Sequence, residues 1–294
     1  MKKSIIAIIL VLTLIVGVVA FAGCSDKKGT YTPLEAQANI FTELNSKTAD
    51  VGIMDFTMAN YLLKTESDLA SNLMIVDGID FEKEYYGIAF RKAGAGKDYN
   101  KLTDLVNEAL IALKATSYST IAEKYNVAAN KVDLAYTASY AKKSGTADET
   151  DFNKVGTAGK IVIGYTLNAP MALGSGNTVT GGFDTELAEA VVAWINTQLG
   201  SNIAIEWKLI SWGNKEAEME AGTIDCIWNG LTITDARSEM WDITIPYLEN
   251  KQCVVIRKAD KDTYTTVDSL KKAAMVAEDG SAGEDVIKEL LGIE

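Results

Sequence analysis

The sequence predicts an α/β protein of two similar lobes joined by two crossing strands. Three observations carry that expectation. Amphipathic helical stretches alternate with short apolar, β-prone runs, the chain echoes itself at two places, and a polar stretch without periodicity separates the two echoing parts. A chain of 294 residues with 48% apolar content and three prolines has room for about two globular domains.

In chain order, "SIIAIILVLTLIVGVVA" behind Lys2-Lys3 has the charged start and apolar core of an export signal, set at residues 1–23. It runs into "FAGCSD", a small-residue cleavage site directly before Cys24 that resembles a bacterial lipobox. Cys24 is therefore expected to be lipidated and to begin the mature chain, with 24–29 as a tether. From Thr30 to Ala128 helix and strand alternate. "EAQANIFTELNSKTADVGIMD" reads as helix, turn and strand, and "YYGIAFRK" (85–92) as a strand. "KLTDLVNEALIALK" places Leu102, Leu105, Val106, Ala109, Leu110 and Leu113 on one helical stripe. Residues 129–158, small, polar and charged, are expected to be an exposed linker. "KIVIGY" opens a second unit. Asp184 is expected to N-cap a helix presenting Leu187, Val191, Ile195 and Leu199 on one face, followed by a strand alternating Ile203, Ile205, Trp207 and Leu209.

The echoes organise these elements. "FTELNSKTADVGIMD" parallels "KEAEMEAGTIDCIWNG", matching Asp50 to Asp225 and the strand end at Asp55 to Gly230. "YYGIAFRK" parallels "KQCVVIRK", two strands ending in Arg-Lys. A cleft between two such lobes is a usual place for a small ligand.

Composition excludes several chemistries. The net charge is −12, or −14 once Lys2 and Lys3 leave with residues 1–23, which argues against nucleic acid and against adhesion to anionic lipid. With no histidine in the chain, serine–histidine and cysteine–histidine mechanisms are excluded, and the commonest metal ligand is missing. No cofactor and no metal are expected. Cys226 and Cys253 lie in apolar strand-like runs, where they can pair outside the cell or stay as buried thiols; spacing alone does not decide.

"GTIDCIWNGLTITDAR" (222–237) concentrates the functional signal. An apolar strand breaks at Asn229-Gly230, hydroxyls follow at its carboxyl end, and an arginine stands one turn further on. Open α/β sheets hold ligands at such strand ends, and an arginine supplies a fork for a carboxylate.

Together with "KIVIGYTLNAPM", "GGFDTELAEAV", "IPYLENKQCVVIRK" and "AEDGSAGED", this stretch resembles the amino-terminal half of the extracellular amino-acid-binding proteins of ABC importers, solute-binding protein family 3. "ADVGIMD" and "EYYGIAFRK" resemble that family's carboxyl-terminal half. The resemblance implies a two-lobed, periplasmic-binding-protein-like (type II) α/β fold with its halves in circularly permuted order. One lobe would comprise 30–84 plus 259–294 and the other 93–128 plus 159–251, with 85–92 and 252–258 as hinge strands. It implies further that Arg237 binds a ligand carboxylate by two parallel hydrogen bonds, helped by Thr232, and that Gly230 offers its carbonyl to the ammonium. Asp55 would hold that ammonium from the other lobe, Gly280 and Ser281 would present a helix start, and Asn168 and Trp212 would set side-chain selectivity. "YTLNAPM" has no acidic residue, so a polar or neutral amino acid is expected. The implied partners are that ligand, an ABC permease and ATPase, and the membrane through a lipid anchor, with the protein a monomer outside the cytoplasm. A ligand-sensing module and a dehydratase-like enzyme on the same fold are the rivals. The intact set Gly230, Thr232 and Arg237 weighs against the enzyme.

Overall fold

The computed structural model describes residues 28–132 and 145–293. Cys24 and the middle of the expected linker lie outside the described residues.

One sheet runs through both lobes. In the first lobe β1 (Thr30–Leu34), β2 (Val51–Asp55) and β3 (Leu73–Ile75) meet β13 (Leu248–Arg257) and β14 (Ala274–Glu278) in the order β1-β14-β2-β13, with β3 also on β13. Strands from both ends of the chain thus share a sheet: Thr30 aligns with Ala274, and Val51 with Met275. In the second lobe β4 (Lys83–Arg91), β11 (Cys226–Thr232), β7 (Lys160–Tyr165) and β10 (Ala204–Leu209) follow in that order, with β12 (Trp241–Ile243) also on β4. Two small ladders, β5 (Tyr99–Asn100) with β6 (Ala147–Asp148) and β8 (Leu173–Ser175) with β9 (Thr178–Gly181), lie outside it.

Helices cover both faces of each lobe, which is why the central strands read as continuous apolar runs. Around the first lobe stand α1 (Asn39–Ser46), α2 (Phe56–Thr65) and α3 (Ser67–Asn72). The second carries α4 (Lys101–Leu113), α5 (Ser119–Lys124), α6 (Thr150–Ala158), α7 (Phe183–Leu199), α8 (Lys215–Glu220) and α9 (Asp235–Met240). From the end of the chain α10 (Val267–Leu270) and α11 (Ala282–Leu291) return to the first lobe. The stripe of α4 is buried as expected through Leu102, Val106, Ala109 and Leu110, in the same core as Leu187 and Val191 of α7.

The echo in sequence is an echo in space. Asp225 accepts from Val162 N (2.8 Å) and Arg91 (3.3 Å), while Asp50 accepts from Ala274 N (3.1 Å) and Arg257 (3.2 Å). Each aspartate precedes its strand and clasps it to the neighbouring parallel strand and to the arginine that ends the adjacent antiparallel one.

Four local expectations are corrected. Residues 150–158, read as linker, form α6, because Val155 is buried and Asp151 receives the Arg91 guanidinium at 2.6 Å. The crossing strands pair at Lys83–Tyr86 and Leu248–Lys251, earlier than 85–92 and 252–258. Past that point β13 turns to β2 and β4 to β11, each joining its own lobe. The N-cap of α7 is Gly182; Asp184 lies inside the first turn, and its carboxylate caps a different segment by accepting from Gly230 N (2.7 Å) and Tyr247 Oη (2.9 Å). Finally, β11 does not stop at Gly230. It passes through a register shift between Ile227 and Leu231 and continues to Thr232.

Candidate functional site

The register shift in β11 shapes the cleft wall. Gly230 has φ +60°, a conformation that costs a residue with a Cβ roughly 1–2 kcal/mol. An added Cβ would also press on Tyr86 and Met171 at 3.3–3.4 Å. Beyond it Thr232 ends the strand, and Thr234 caps α9 by accepting from Arg237 N at 3.2 Å. The short helix so anchored holds the buried Arg237 guanidinium over the strand end: Nη1 donates to Thr232 O (2.8 Å), and Nη2 reaches across the cleft to Gly280 O (3.0 Å). Trp212 lies beneath, its ring centre 6.0 Å from Arg237 Cζ and 5.0 Å from Lys215 Nζ. Its ring faces the two cations.

The opposite wall belongs to the first lobe. Gly280, at φ +68°, turns the chain from β14 into α11, and Ser281 caps that helix by accepting from Glu284 N (3.2 Å). Asp55 ends β2. Its carboxylate accepts from Gln37 Nε2, Asn250 Nδ2 and Gln252 Nε2, each at 2.7 Å.

Between the walls lies a narrow cavity of about 10 Å³. Of the residues expected at a site, Asp55, Asn168, Trp212, Gly230, Thr232, Arg237 and Ser281 line it, and Gly280 borders it through the carbonyl that Arg237 and Lys215 share. Residues 182 positions apart, Asp55 and Arg237, thus reach one small space. Sequence reasoning missed Gln37, Asn229, Glu278 and Ala282 in the lining. All four sat inside quoted stretches, Gln37 in the first helical run, Asn229 beside Gly230, and Glu278 and Ala282 on either side of Gly280, and residues flanking a strand-end glycine were the available signal.

The electrostatics are those of a buried, acidic cleft. Burial pushes the Glu278 carboxyl up to about 8, with the Asp55 charge adding to it and Gln37 opposing. Glu84, which accepts from Thr232 Oγ1 (3.1 Å) and Gln252 Nε2 (3.0 Å), is raised to about 7 by burial and by Asp55. Burial also raises Asp55, against its amide donors, and lowers Lys215. Among the described residues no group of histidine, cysteine or acidic side chains is arranged to hold a metal, and no helix is long and apolar enough to cross a membrane. Cys226 and Cys253 are separate, buried thiols.

A polar cavity enclosed by two similar α/β lobes, with two strands shared between them, is the architecture of the two-lobed, periplasmic-binding-protein-like (type II) class. Residues 161–288 match the family model of the bacterial extracellular solute-binding proteins, family 3. The chain is similar to a probable amino-acid-binding protein of Bacillus subtilis (34% identity, covering 34% of this chain and 35% of that one). A probable histidine-binding protein of Neisseria gonorrhoeae is 32% identical over 38% of this chain and 39% of its own. The chain thus spans less than half the length of these curated relatives. Among solved structures, a polar amino acid ABC uptake transporter substrate binding protein from Streptococcus thermophilus is 36% identical, covering 34% of this chain and 35% of that one with a TM-score of 0.29.

Proposed function

We propose that this protein captures an α-amino acid between its lobes outside the cell and hands it to an ABC permease and its ATPase, without bond chemistry. The observation that carries the reading is Arg237, a buried guanidinium held on a strand end and reaching the facing lobe at Gly280. A ligand carboxylate would take its fork together with the Thr232 hydroxyl. The ligand ammonium would lie toward Asp55 and the Gly230 carbonyl. Ligand contacts made from both lobes favour the closed form, and that hinge motion is what a transporter would read. The names of the relatives, amino-acid- and histidine-binding proteins, support the ligand class.

Two further elements belong to the reading. The chain order is a circular permutation, supported by the shared sheet of residues 30–55 with 274–278 and by a family match that begins only at residue 161. The mature protein is a monomeric lipoprotein anchored at Cys24, supported by "FAGC". Mass spectrometry of the membrane fraction should find a chain beginning at an acylated Cys24, and an unprocessed Met1 would refute it. The main test is a thermal-shift screen against the common amino acids. One or a few should raise the melting temperature at millimolar concentration; no response to any of them would sink the reading.

A further inference from the structure

Glu278 is a buried acid of the cleft that faces Gln37 but meets no cation in an ion pair among the described residues. It ends β14, is 5% exposed and lines the same cavity as Arg237 and Asp55. Its cationic neighbours are committed elsewhere. Lys215 Nζ lies 3.0 Å from Glu216 Oε1 and donates to the Trp212 and Gly280 carbonyls, and Arg237 donates to Thr232 and Gly280. Asp55 is surrounded by three amide donors, whereas Glu278 has Gln37 alone.

A second observation comes from the cavity wall. Asn168 and Asn229, 6% and 2% exposed, both line the cavity, and each has a buried side-chain carbonyl oxygen without a hydrogen-bond donor. The Asn229 amide nitrogen is engaged with Thr166 Oγ1 at 2.6 Å, which fixes its orientation and leaves the oxygen over. A buried acceptor without a donor is costly, typically by about 1–3 kcal/mol. The cavity therefore combines a carboxyl without a cationic partner with two acceptors in need of donors.

Building on the amino-acid reading above, we propose that the cleft selects an α-amino acid with a cationic, donor-bearing side chain, and that Glu278 reads that charge with Asn168 and Asn229 accepting its remaining N–H groups. Once the ligand's carboxylate meets Arg237 and its ammonium meets Asp55, Glu278 is the acid left over. A neutral side chain leaves it protonated and without an ion-pair partner, an acidic one offers it no counter-charge, and a guanidinium or ammonium pairs with its carboxylate. Burial, which favours the protonated form of Glu278 in the empty cleft, adds a consequence: binding a cation there should release a proton. This revises the expectation of a polar or neutral ligand, which rested on the loop 165–171 alone, because the charge arrives from the other lobe.

The test is calorimetry of the mature chain with arginine, lysine, glutamine and glutamate, repeated on Glu278→Gln. In the natural chain arginine or lysine should bind at least about tenfold more tightly than glutamine, with glutamate weaker still, and Glu278→Gln should bring the arginine-to-glutamine ratio within about threefold. Should that variant fail to fold by circular dichroism, Asn168→Asp decides the matter, since a second carboxylate should widen the ratio. A natural chain that prefers glutamine or glutamate, or variants that leave the ratio as it was, would overturn the inference while the amino-acid reading stands. If no amino acid binds, both fall.

Discussion

The two lobes carry the same clasp at different depths. In the second lobe Arg91 meets Asp225, 2% exposed at its side chain, and Asp151, 8% exposed. In the first, Arg257 meets Asp50 and Asp260, whose side chains are 28% and 29% exposed. Both arginines also donate to backbone carbonyls at the turn before the central strand: Arg91 to Ile224 O, Arg257 to Leu44 O and Ala49 O. The motif is one; its energetic weight is not, because a buried charge left unpaired costs far more than an exposed one. The second lobe buries its clasp because α6 lies over it and supplies Asp151.

The most direct way to break the comparison is to delete each aspartate. Asp225→Ala should cost about 2–3 kcal/mol, since it removes the buried acceptor of Val162 N and one of the two carboxylates that meet Arg91, whereas Asp50→Ala, at a more exposed site, should cost about 1 kcal/mol. Urea denaturation of the two variants measures both, and equal losses would mean that burial does not separate the lobes.

The cleft gives the next largest effect. Arg237→Lys keeps the charge but loses the planar fork that bridges to Gly280, so affinity for the ligand should fall roughly tenfold or more. Calorimetry checks it, and an unchanged constant would remove Arg237 from the site.

pH sharpens the comparison because each lobe holds a desolvated acid. Asp184 in the second lobe is raised to about 7 by burial, Glu278 in the first to about 8, and Glu84 on the crossing strand to about 7. Folded carboxyls with raised pKa bind protons that the unfolded chain has released, so their stabilisation is complete below about pH 4 and is lost as pH rises through 7 to 8. The melting temperature of the ligand-free protein should therefore fall between pH 5 and 8. Asp184→Asn and Glu278→Gln should each flatten part of that decline, and a ligand-free protein that melts higher at pH 8 than at pH 5 would reverse the sign.

The smallest contrast lies in the two caps that face each other across the cleft. Thr234→Ala on the six-residue α9 and Ser281→Ala on the ten-residue α11 should each cost about 1 kcal/mol of stability. Both should also weaken ligand binding, the former because α9 carries Arg237 and the latter because Ser281 lines the cavity.

Local periodicity and turn chemistry determined much of this protein by themselves. The stripe from Leu102 to Leu113, the helix start at Ser281, the paired aspartates Asp50 and Asp225 and the strand-end set Gly230, Thr232 and Arg237 are patterns of neighbouring residues, and neighbouring residues are what a sequence displays directly. The polar look of 145–158 concealed α6, because its anchors, Arg91 and the core around Val155, lie far away in sequence. Asp184 looked like a cap for the same reason: its real partners, Gly230 and Tyr247, come 46 and 63 residues later. Where β13 leaves β4 for β2 was likewise a matter of lobe packing, which no strand pattern records. Glu278 shows the division most clearly. Its place in the chain says only that a strand ends there; that it lines one buried cavity with Asp55, Asn168 and Arg237, brought from three other parts of the chain, was decided by the closing of two lobes, since burial and the charges that share it exist only once the chain has folded.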